Sequence, residues 1–212
     1  MKKLIGSIAL VLVAAFVWMA ATPNSMVADG LEVGDKAPDF QLENVDGKMV
    51  SLEGIAAEYK KAGKELKGYI VTFTCNTCPW AVKYEDRIIE THNDLADKGW
   101  PVVAIMPNDP EVQPGDSMDK MKERADEKEF PFAYLMDKGQ KVYPQYGASR
   151  TPHIYLIDAD MTVQYIGALD DSPKDADNVK THYVKEAINA LENGKKVDPS
   201  FTRAIGCSIK TK

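Results

Sequence analysis

The chain has 212 residues, a formal net charge of −6 and an apolar content of 44%. This length and composition suit one domain with a single hydrophobic core, and no low-complexity linker divides the chain in the middle. The modestly acidic balance gives no electrostatic reason to expect nucleic acid or an anionic bilayer surface as a partner.

The N-terminal segment has the pattern of an export signal. A basic start, Met1-Lys2-Lys3, precedes an uncharged apolar run from Leu4 to Ala21, which is the pattern of a secretory signal. We expect residues 1–28 to be a signal peptide or an N-terminal membrane anchor, and residues 29–212 to be the folded domain. Cleavage and retention both stay open, because the run is close to the lower length limit for spanning a bilayer. Either outcome predicts an extracytoplasmic location, in the periplasm or on the outer face of the membrane.

A Cys-x-x-Cys pair lies where a predicted strand gives way to a predicted helix. The β-rich run from Gly68 to Thr74 predicts a buried strand, and Pro79 to Leu95 predicts an amphipathic helix. Cys75 is thereby placed at a helix N-terminus, where free N–H groups lower the pKa of a thiol. We expect Cys75, as the more exposed cysteine, to attack a disulfide, and Cys78 to resolve the mixed disulfide.

Two other interpretations of the cysteine pair have less support in the sequence. A structural disulfide would not need the junction of a strand and a helix. A zinc site usually needs four ligands close in the sequence, and the remaining candidates are scattered: His92, His153, His182 and Cys207. Whether the pair oxidises or reduces its partners stays open, because outside the cytosol a dithiol stays reduced only when another protein supplies electrons.

Strands and helices continue to alternate after the predicted cysteine helix. The patterns predict a strand over 100–106, an exposed helix over 118–129, a short strand over 132–136, a helical turn over 142–146, a hairpin over 153–166 and a final helix over 176–192. This order of elements predicts an α/β fold with a central mixed β-sheet and helices on both faces.

The second predicted part of the functional site is a proline at the start of a strand. Pro152 immediately precedes the strand predicted over His153 to Ile157, and a cis peptide suits this position because proline cannot donate a ladder hydrogen bond. If this loop lies against the cysteines, the backbone of Thr151 can pair with an extended substrate strand. Thr151 and Pro152 are therefore predicted to bind substrate.

Three segments make the chain resemble the thioredoxin fold, in the redoxin branch of alkyl hydroperoxide reductase and thiol-specific antioxidant proteins. They are 33–40 with Asp46-Gly47-Lys48, Cys75 to Pro79, and Thr151 to Asp158. The resemblance implies a thioredoxin-like three-layer sandwich, with Cys75 as nucleophile, Cys78 as resolving thiol and Thr151–Pro152 as the substrate-facing loop. We expect a monomer without a cofactor, whose partners are protein thiols or disulfides and an unidentified electron donor or acceptor.

The chain departs from the patterns of that branch at two positions. Gly68 stands where peroxidases of the branch carry a proline, although Thr72 matches their threonine. Tyr69 lies where thioredoxins tend to carry a buried acid that takes the proton of the resolving cysteine. A thiol peroxidase that reduces hydroperoxides is the second hypothesis: the resemblance of residues 33–40 to the redoxin branch favours it, and the missing proline counts against it. The third hypothesis is a copper or zinc carrier that uses both cysteines of the pair and His153.

The chain has a third cysteine near its end that is not part of the Cys-x-x-Cys motif. Cys207 is either a small residue buried in the core or a third redox thiol, carried back to Cys75 by the segment Gly206-Cys207-Ser208.

Overall fold

A computed structural model describes residues 30–212. The targeting segment predicted over residues 1–28 lies outside the described residues. Within the described part of the chain, no helix is both long and apolar enough to cross a membrane.

Strands and helices alternate along residues 30–212. The strands are β1 (Leu42–Asn44), β2 (Met49–Val50), β3 (Gly68–Phe73), β4 (Val102–Met106), β5 (Ala133–Met136), β6 (Arg150–Thr151), β7 (His153–Asp158), β8 (Val163–Gly167) and β9 (Cys207–Ser208). The α-helices are α1 (Leu52–Lys61), α2 (Pro79–Leu95), α3 (Met118–Lys128), α4 (Tyr143–Tyr146) and α5 (Tyr183–Glu192).

Seven strands form one sheet in the order β2-β1-β5-β4-β3-β7-β8. Strand β3 pairs in parallel with β4, which pairs in parallel with β5. All other neighbours in this sheet are antiparallel, including β3 with β7 and the hairpin of β7 with β8. The central mixed sheet and the hairpin are therefore confirmed.

Side chains of β3 alternate between the two faces of the sheet, as a strand covered on both sides requires. Tyr69, Val71 and Phe73 pack in the cluster that contains residues of α1 and α4. Ile70 points the other way, into the cluster with α2 and α5. Helix α3 adds Met121 beside α2. Because helices cover both faces, the three-layer α/β sandwich is confirmed.

The last helix is shorter than the sequence predicts. A helix was expected over Ala176 to Glu192, but α5 covers only Tyr183–Glu192, and the residues Ala176–Asn178 form a separate 3-10 turn. The carboxylate of Asp171 accepts the backbone N–H of Lys180 at 2.9 Å. Such bonds between side chain and backbone compete with helix formation, so the chain stays in turns until α5.

A second sheet brings the end of the chain back to the middle of the fold. Strands β6 and β9 pair antiparallel, with Thr151 opposite Cys207. Strand β6 immediately precedes β7, the neighbour of β3 in the main sheet. The C-terminal segment therefore lies beside the loop for which substrate binding is predicted.

Candidate active site

The paired cysteines occupy the loop between β3 and α2. Cys78 is the N-cap of α2, which begins at Pro79. The prediction that Cys75 itself lies at the helix N-terminus is therefore wrong, because the helix starts only after the second cysteine. Cys75 and Cys78 are 2% and 3% exposed, so the expectation that Cys75 is the more exposed sulfur is wrong as well.

The Thr151–Pro152 peptide is cis, and Thr151 contacts both sulfurs. The Cys75 Sγ lies 3.2 Å from the Thr151 Oγ1, and the Cys78 Sγ lies 3.1 Å from the Thr151 carbonyl oxygen. The fold therefore brings together the two cysteines and the loop that the sequence singled out.

The third cysteine lies beside Cys78 rather than Cys75. The backbone N–H of Cys207 donates to the Cys78 Sγ at 3.3 Å. Cys207 is half-buried, and all three cysteines are free thiols. The C-terminal segment lies against the pair, as the hypothesis of a third redox thiol requires, but its neighbour is Cys78 rather than Cys75. A redox role of Cys207 stays a hypothesis.

Hydrogen bonds around the pair favour a thiolate on Cys78. The Cys75 thiol donates to it, and the Cys207 thiol and the backbone N–H groups of Ala81 and Cys207 add to this, so that the pKa of Cys78 falls to about 4 despite burial. The Thr151 carbonyl opposes this shift, since it accepts only from a protonated thiol, but it is one acceptor against several donors. The pKa of Cys75 is raised by its hydrogen bond to Cys78, by burial and by the charge of Asp116.

A fully buried carboxylate, that of Asp116, holds the loop between the cysteines. Its Oδ1 accepts the backbone N–H groups of Asn76 and Thr77 at 2.9 and 3.1 Å. Its Oδ2 accepts the Thr77 hydroxyl at 2.9 Å and the Asn108 amide at 2.6 Å. Sequence analysis missed this role, because an Asp ahead of a predicted helix gives the same signal as an ordinary helix start.

A small cavity of about 10 Å³, room for about one water molecule, lies beside Cys75. Its lining residues are Thr74, Cys75, Glu85, Ile88, Phe130, Phe132 and Tyr134. Arg124 holds the Glu85 carboxylate through bonds of 2.9 and 2.7 Å. Burial nevertheless raises the pKa of Glu85. The Glu85 carboxyl group therefore lies near Cys75, although Tyr69 stands at the position where thioredoxins tend to carry a buried acid.

His153 does not join the cysteines in a metal site. Across residues 30–212, no group of three or more His, Cys, Asp and Glu side chains is placed to hold a metal ion. The His153 ring packs on Tyr155 with centroids 4.9 Å apart, and burial lowers the pKa of His153 to about 4. The geometry gives the hypothesis of a copper or zinc carrier no support.

The fold and the paired cysteines place the chain among the thioredoxin-like thiol-disulfide oxidoreductases. It belongs to the AhpC/TSA family, whose family model matches residues 33–166.

Comparison with known proteins agrees with this placement. The chain is 24% identical over 139 residues to the thiol-disulfide oxidoreductase ResA of Bacillus thuringiensis (strain Al Hakam), a match covering 65% of this chain and 71% of that protein. It is 38% identical to an uncharacterized conserved protein from Geobacillus kaustophilus, with a TM-score of 0.76 and coverage of 85% and 93%. The peroxidoxin BcpB of Mycobacterium tuberculosis shares the fold, with a TM-score of 0.55, 17% identity and coverage of 77% and 97%. The resemblance to the redoxin branch is confirmed.

Replacing Asp116 by Asn tests its part in the site. Removing the negative charge should lower the pKa of Cys75, because the carboxylate raises it. In Asp116→Asn an NH₂ group replaces the Oδ2 that accepts from Thr77 and Asn108. An NH₂ group does not accept hydrogen bonds, so the free energy of unfolding should fall by about 1–3 kcal/mol.

The pKa of Cys75 would be read from the pH dependence of its alkylation in a Cys78→Ser background, and stability from urea unfolding. Asp160→Asn is the matched control, because Asp160 is exposed in the turn between β7 and β8, and it should change neither quantity. A Cys75 pKa that does not move in Asp116→Asn would contradict the electrostatic role of Asp116.

The pKa difference between the cysteines predicts which sulfur reacts in mildly acidic solution. Because thiolates are the nucleophiles, alkylation of Cys78 should be nearly independent of pH between about pH 5 and pH 8, well above its pKa of about 4. Alkylation of Cys75, whose pKa is raised, should rise about tenfold per pH unit over that range.

Iodoacetamide labelling followed by peptide mass spectrometry resolves the two positions. The same protein in denaturant is the control, since both thiols should then follow one ordinary pH profile. Faster labelling of Cys75 than of Cys78 at the acidic end would reverse the assignment.

Proposed function

We propose that the protein is an exported enzyme that exchanges thiols and disulfides with protein substrates through Cys75 and Cys78. The observation that carries this proposal is the contact of both sulfurs with Thr151, at 3.2 Å from its Oγ1 and 3.1 Å from its carbonyl oxygen. A substrate strand that pairs with the backbone of Thr151 would bring its own sulfur to the pair.

In the proposed reaction, the attacking sulfur is Cys78 rather than Cys75, because Cys78 is the N-cap of α2 and its Sγ accepts the backbone N–H of Cys207 at 3.3 Å. The lowered pKa of Cys78 agrees with this choice. The Cys78 thiolate attacks a substrate disulfide, a bond forms between Cys78 and one substrate sulfur, and the other substrate sulfur leaves as a thiolate and takes up a proton. Cys75 then attacks Cys78 and releases the second substrate thiol. The substrate gains two electrons, and Cys75 and Cys78 become a disulfide that a dithiol of another protein must reduce.

Cys75 must lose a proton before it can attack in the second step. Its raised pKa disfavours this loss. Glu85 lines the same small cavity as Cys75, and burial raises the pKa of its carboxyl. We propose that Glu85 accepts this proton through a water molecule in the cavity.

Reduction of hydroperoxides is the second candidate, and the AhpC/TSA match favours it. In that reaction a cysteine thiolate takes one peroxide oxygen and becomes a sulfenic acid, while the O–O bond breaks and the rest of the peroxide leaves as an alcohol or water. The second cysteine then attacks the sulfenic acid, forms the disulfide and releases water. The details of the site lend it less support. Thr72 occupies the threonine position of the peroxidase pattern, but its hydroxyl is buried without a hydrogen-bond partner among residues 30–212. It therefore donates to neither cysteine.

A redox titration of the protein tests the proposed function. Thiol trapping in glutathione buffers should show a reversible two-electron couple between Cys75 and Cys78, and the reduced protein should cleave the disulfides of insulin. Cys75→Ser and Cys78→Ser should each abolish multiple turnover. Lys61→Ala is a control, because Lys61 is exposed at the end of α1, and its turnover should match the unmodified protein.

Each outcome of this titration bears on one hypothesis. A potential well below the glutathione range would assign the role of reductant, and one well above it the role of oxidant. If no reversible disulfide forms between the two cysteines, the exchange mechanism is wrong. Peroxide consumption without insulin cleavage would support the peroxidase instead.

Export is proposed from the basic start and the apolar run of residues 1–28. A fusion of residues 1–40 to alkaline phosphatase lacking its own signal should be active in bacteria, because that reporter forms its disulfides only outside the cytoplasm. Leu12→Arg, which interrupts the apolar run, should reduce the activity to that of the reporter alone. Equal activity of the two fusions would contradict export by this segment.

A further inference from the structure

The C-terminal segment occupies the strand edge that the proposed function reserves for substrate. Strand β9 pairs antiparallel with β6 and sets Cys207 opposite Thr151. Thr151 is fully buried beneath it. An incoming peptide therefore finds this edge already paired with a piece of the same chain.

Lys210 anchors this segment through its backbone. Its N–H donates to the Asn108 Oδ1 at 2.8 Å. Its carbonyl accepts the N–H of Asp109 and the Gln140 side-chain amide, both at 2.9 Å. Because Asn108 also donates to Asp116 at 2.6 Å, one hydrogen-bond network links the C-terminal segment to the loop between the cysteines.

The absence of a side chain at Gly206 allows the close approach of the two strands. A Cβ built at this position would overlap the carbonyl group of Thr151 and would lie 3.1 Å from the nitrogen of Pro152. Real Cβ atoms do not come this close to backbone atoms. Any larger residue at position 206 must therefore lift the segment away from Thr151.

Cys207 lies in hydrogen-bond contact with the sulfur proposed as the thiolate. Its N–H donates to the Cys78 Sγ at 3.3 Å, and its thiol is a hydrogen-bond partner of the same sulfur. Burial and this bond raise the pKa of Cys207 to about 11. In the reduced protein, Cys207 is therefore a protonated thiol in contact with the Cys78 sulfur.

We propose that the segment Gly206–Lys210 is a tethered occupant of the substrate edge and that Cys207 exchanges disulfides with Cys78. This inference rests on the proposed function. When Cys75 and Cys78 are joined, Cys207 loses its proton to solvent and attacks the Cys78 sulfur. A bond forms between Cys207 and Cys78, and Cys75 leaves as a thiolate that takes up a proton. The number of disulfides is unchanged, so this step needs no oxidant.

The register of the segment also defines the form of substrate that the edge accepts. Such a substrate is an extended peptide, antiparallel to β6, with its cysteine opposite Thr151, the place that Cys207 holds. It must displace the segment before its sulfur reaches Cys78. Substrate access is therefore governed by the stability of the β6–β9 pairing.

Disulfide mapping of Cys75→Ser tests the exchange step. In a buffer of oxidised and reduced glutathione, Cys78 attacks glutathione disulfide and releases one glutathione thiol, and Cys207 then displaces the second. We expect mass spectrometry to find mainly the Cys78–Cys207 disulfide. Cys78→Ser is the comparison, and it should not form the Cys75–Cys207 disulfide in comparable yield. If Cys75→Ser yields only glutathione adducts at Cys78, the exchange proposal is overturned.

Variants that displace the segment Gly206–Lys210 from β6 test whether it occupies the substrate edge. Gly206→Val should raise the rate of insulin cleavage, and the rate at which the pair reacts with a soluble aromatic disulfide, at least about fivefold, since strand pairing no longer protects the site. Thr211→Ala is the control, because Thr211 is exposed and lies just outside the segment, and its rates should stay unchanged.

Lys210→Pro is a second way to release the segment, because it removes the N–H that Asn108 accepts. Thermal unfolding would establish that each variant is folded. If folded Gly206→Val and Lys210→Pro proteins both react at the rate of the unmodified protein, the segment does not limit access.

Failure of this inference can be told apart from failure of the proposed function. A protein that cleaves insulin and has a reversible Cys75–Cys78 couple, but shows neither the Cys78–Cys207 disulfide nor faster release variants, keeps the function and loses the inference. A protein without that couple loses the proposed function, whatever Cys207 does.

Discussion

The arrangement of the site depends on one buried carboxylate. Asp116 accepts two backbone N–H groups of the loop between the cysteines and the side chains of Thr77 and Asn108. A buried carboxylate is tolerated only when its oxygens are satisfied, so this loop must keep the shape that supplies those donors. That shape sets the positions of both sulfurs against Thr151, and through Asn108 it extends to the C-terminal segment. The pKa of Cys75 is raised by its hydrogen bond to Cys78, by burial and, in addition, by the charge of Asp116. One group therefore both positions the pair and influences the ionisation of Cys75.

Both sulfurs are closed to solvent in this reduced state, although the proposed chemistry requires contact with another protein. A strand that pairs with β6 covers the pair now, and a substrate strand would cover it during the reaction. Burial by itself disfavours a charge on Cys78, so a thiolate at this sulfur depends on the hydrogen bonds that it accepts. Burial of both sulfurs therefore fits thiol exchange with an extended peptide better than reaction with a small molecule that enters from solvent.

Most of the fold follows from local patterns. The helix predicted over Pro79 to Leu95 has those bounds in the structure, and the strand predicted from Gly68 ends one residue early. These segments have strong apolar periodicity and clear boundaries, so local signals and packing agree. The final helix was predicted too long, because the carboxylates before it bind backbone N–H groups that a helix would need. A pattern of apolar residues carries no information about that competition.

Within the site, the sequence alone determined the chemical type: two cysteines at the junction of a strand and a helix, and a proline at the start of a later strand. Spacing along the chain is enough for this, since covalent geometry keeps close neighbours together. Only the tertiary structure decided which backbone groups contact each sulfur, that Asp116 holds the loop, and that Cys207 lies beside Cys78. Each of these depends on contacts between residues far apart in the chain, such as Cys78 and Cys207. Local propensity cannot encode such contacts, because they arise only when the sheet and the C-terminal segment are packed together.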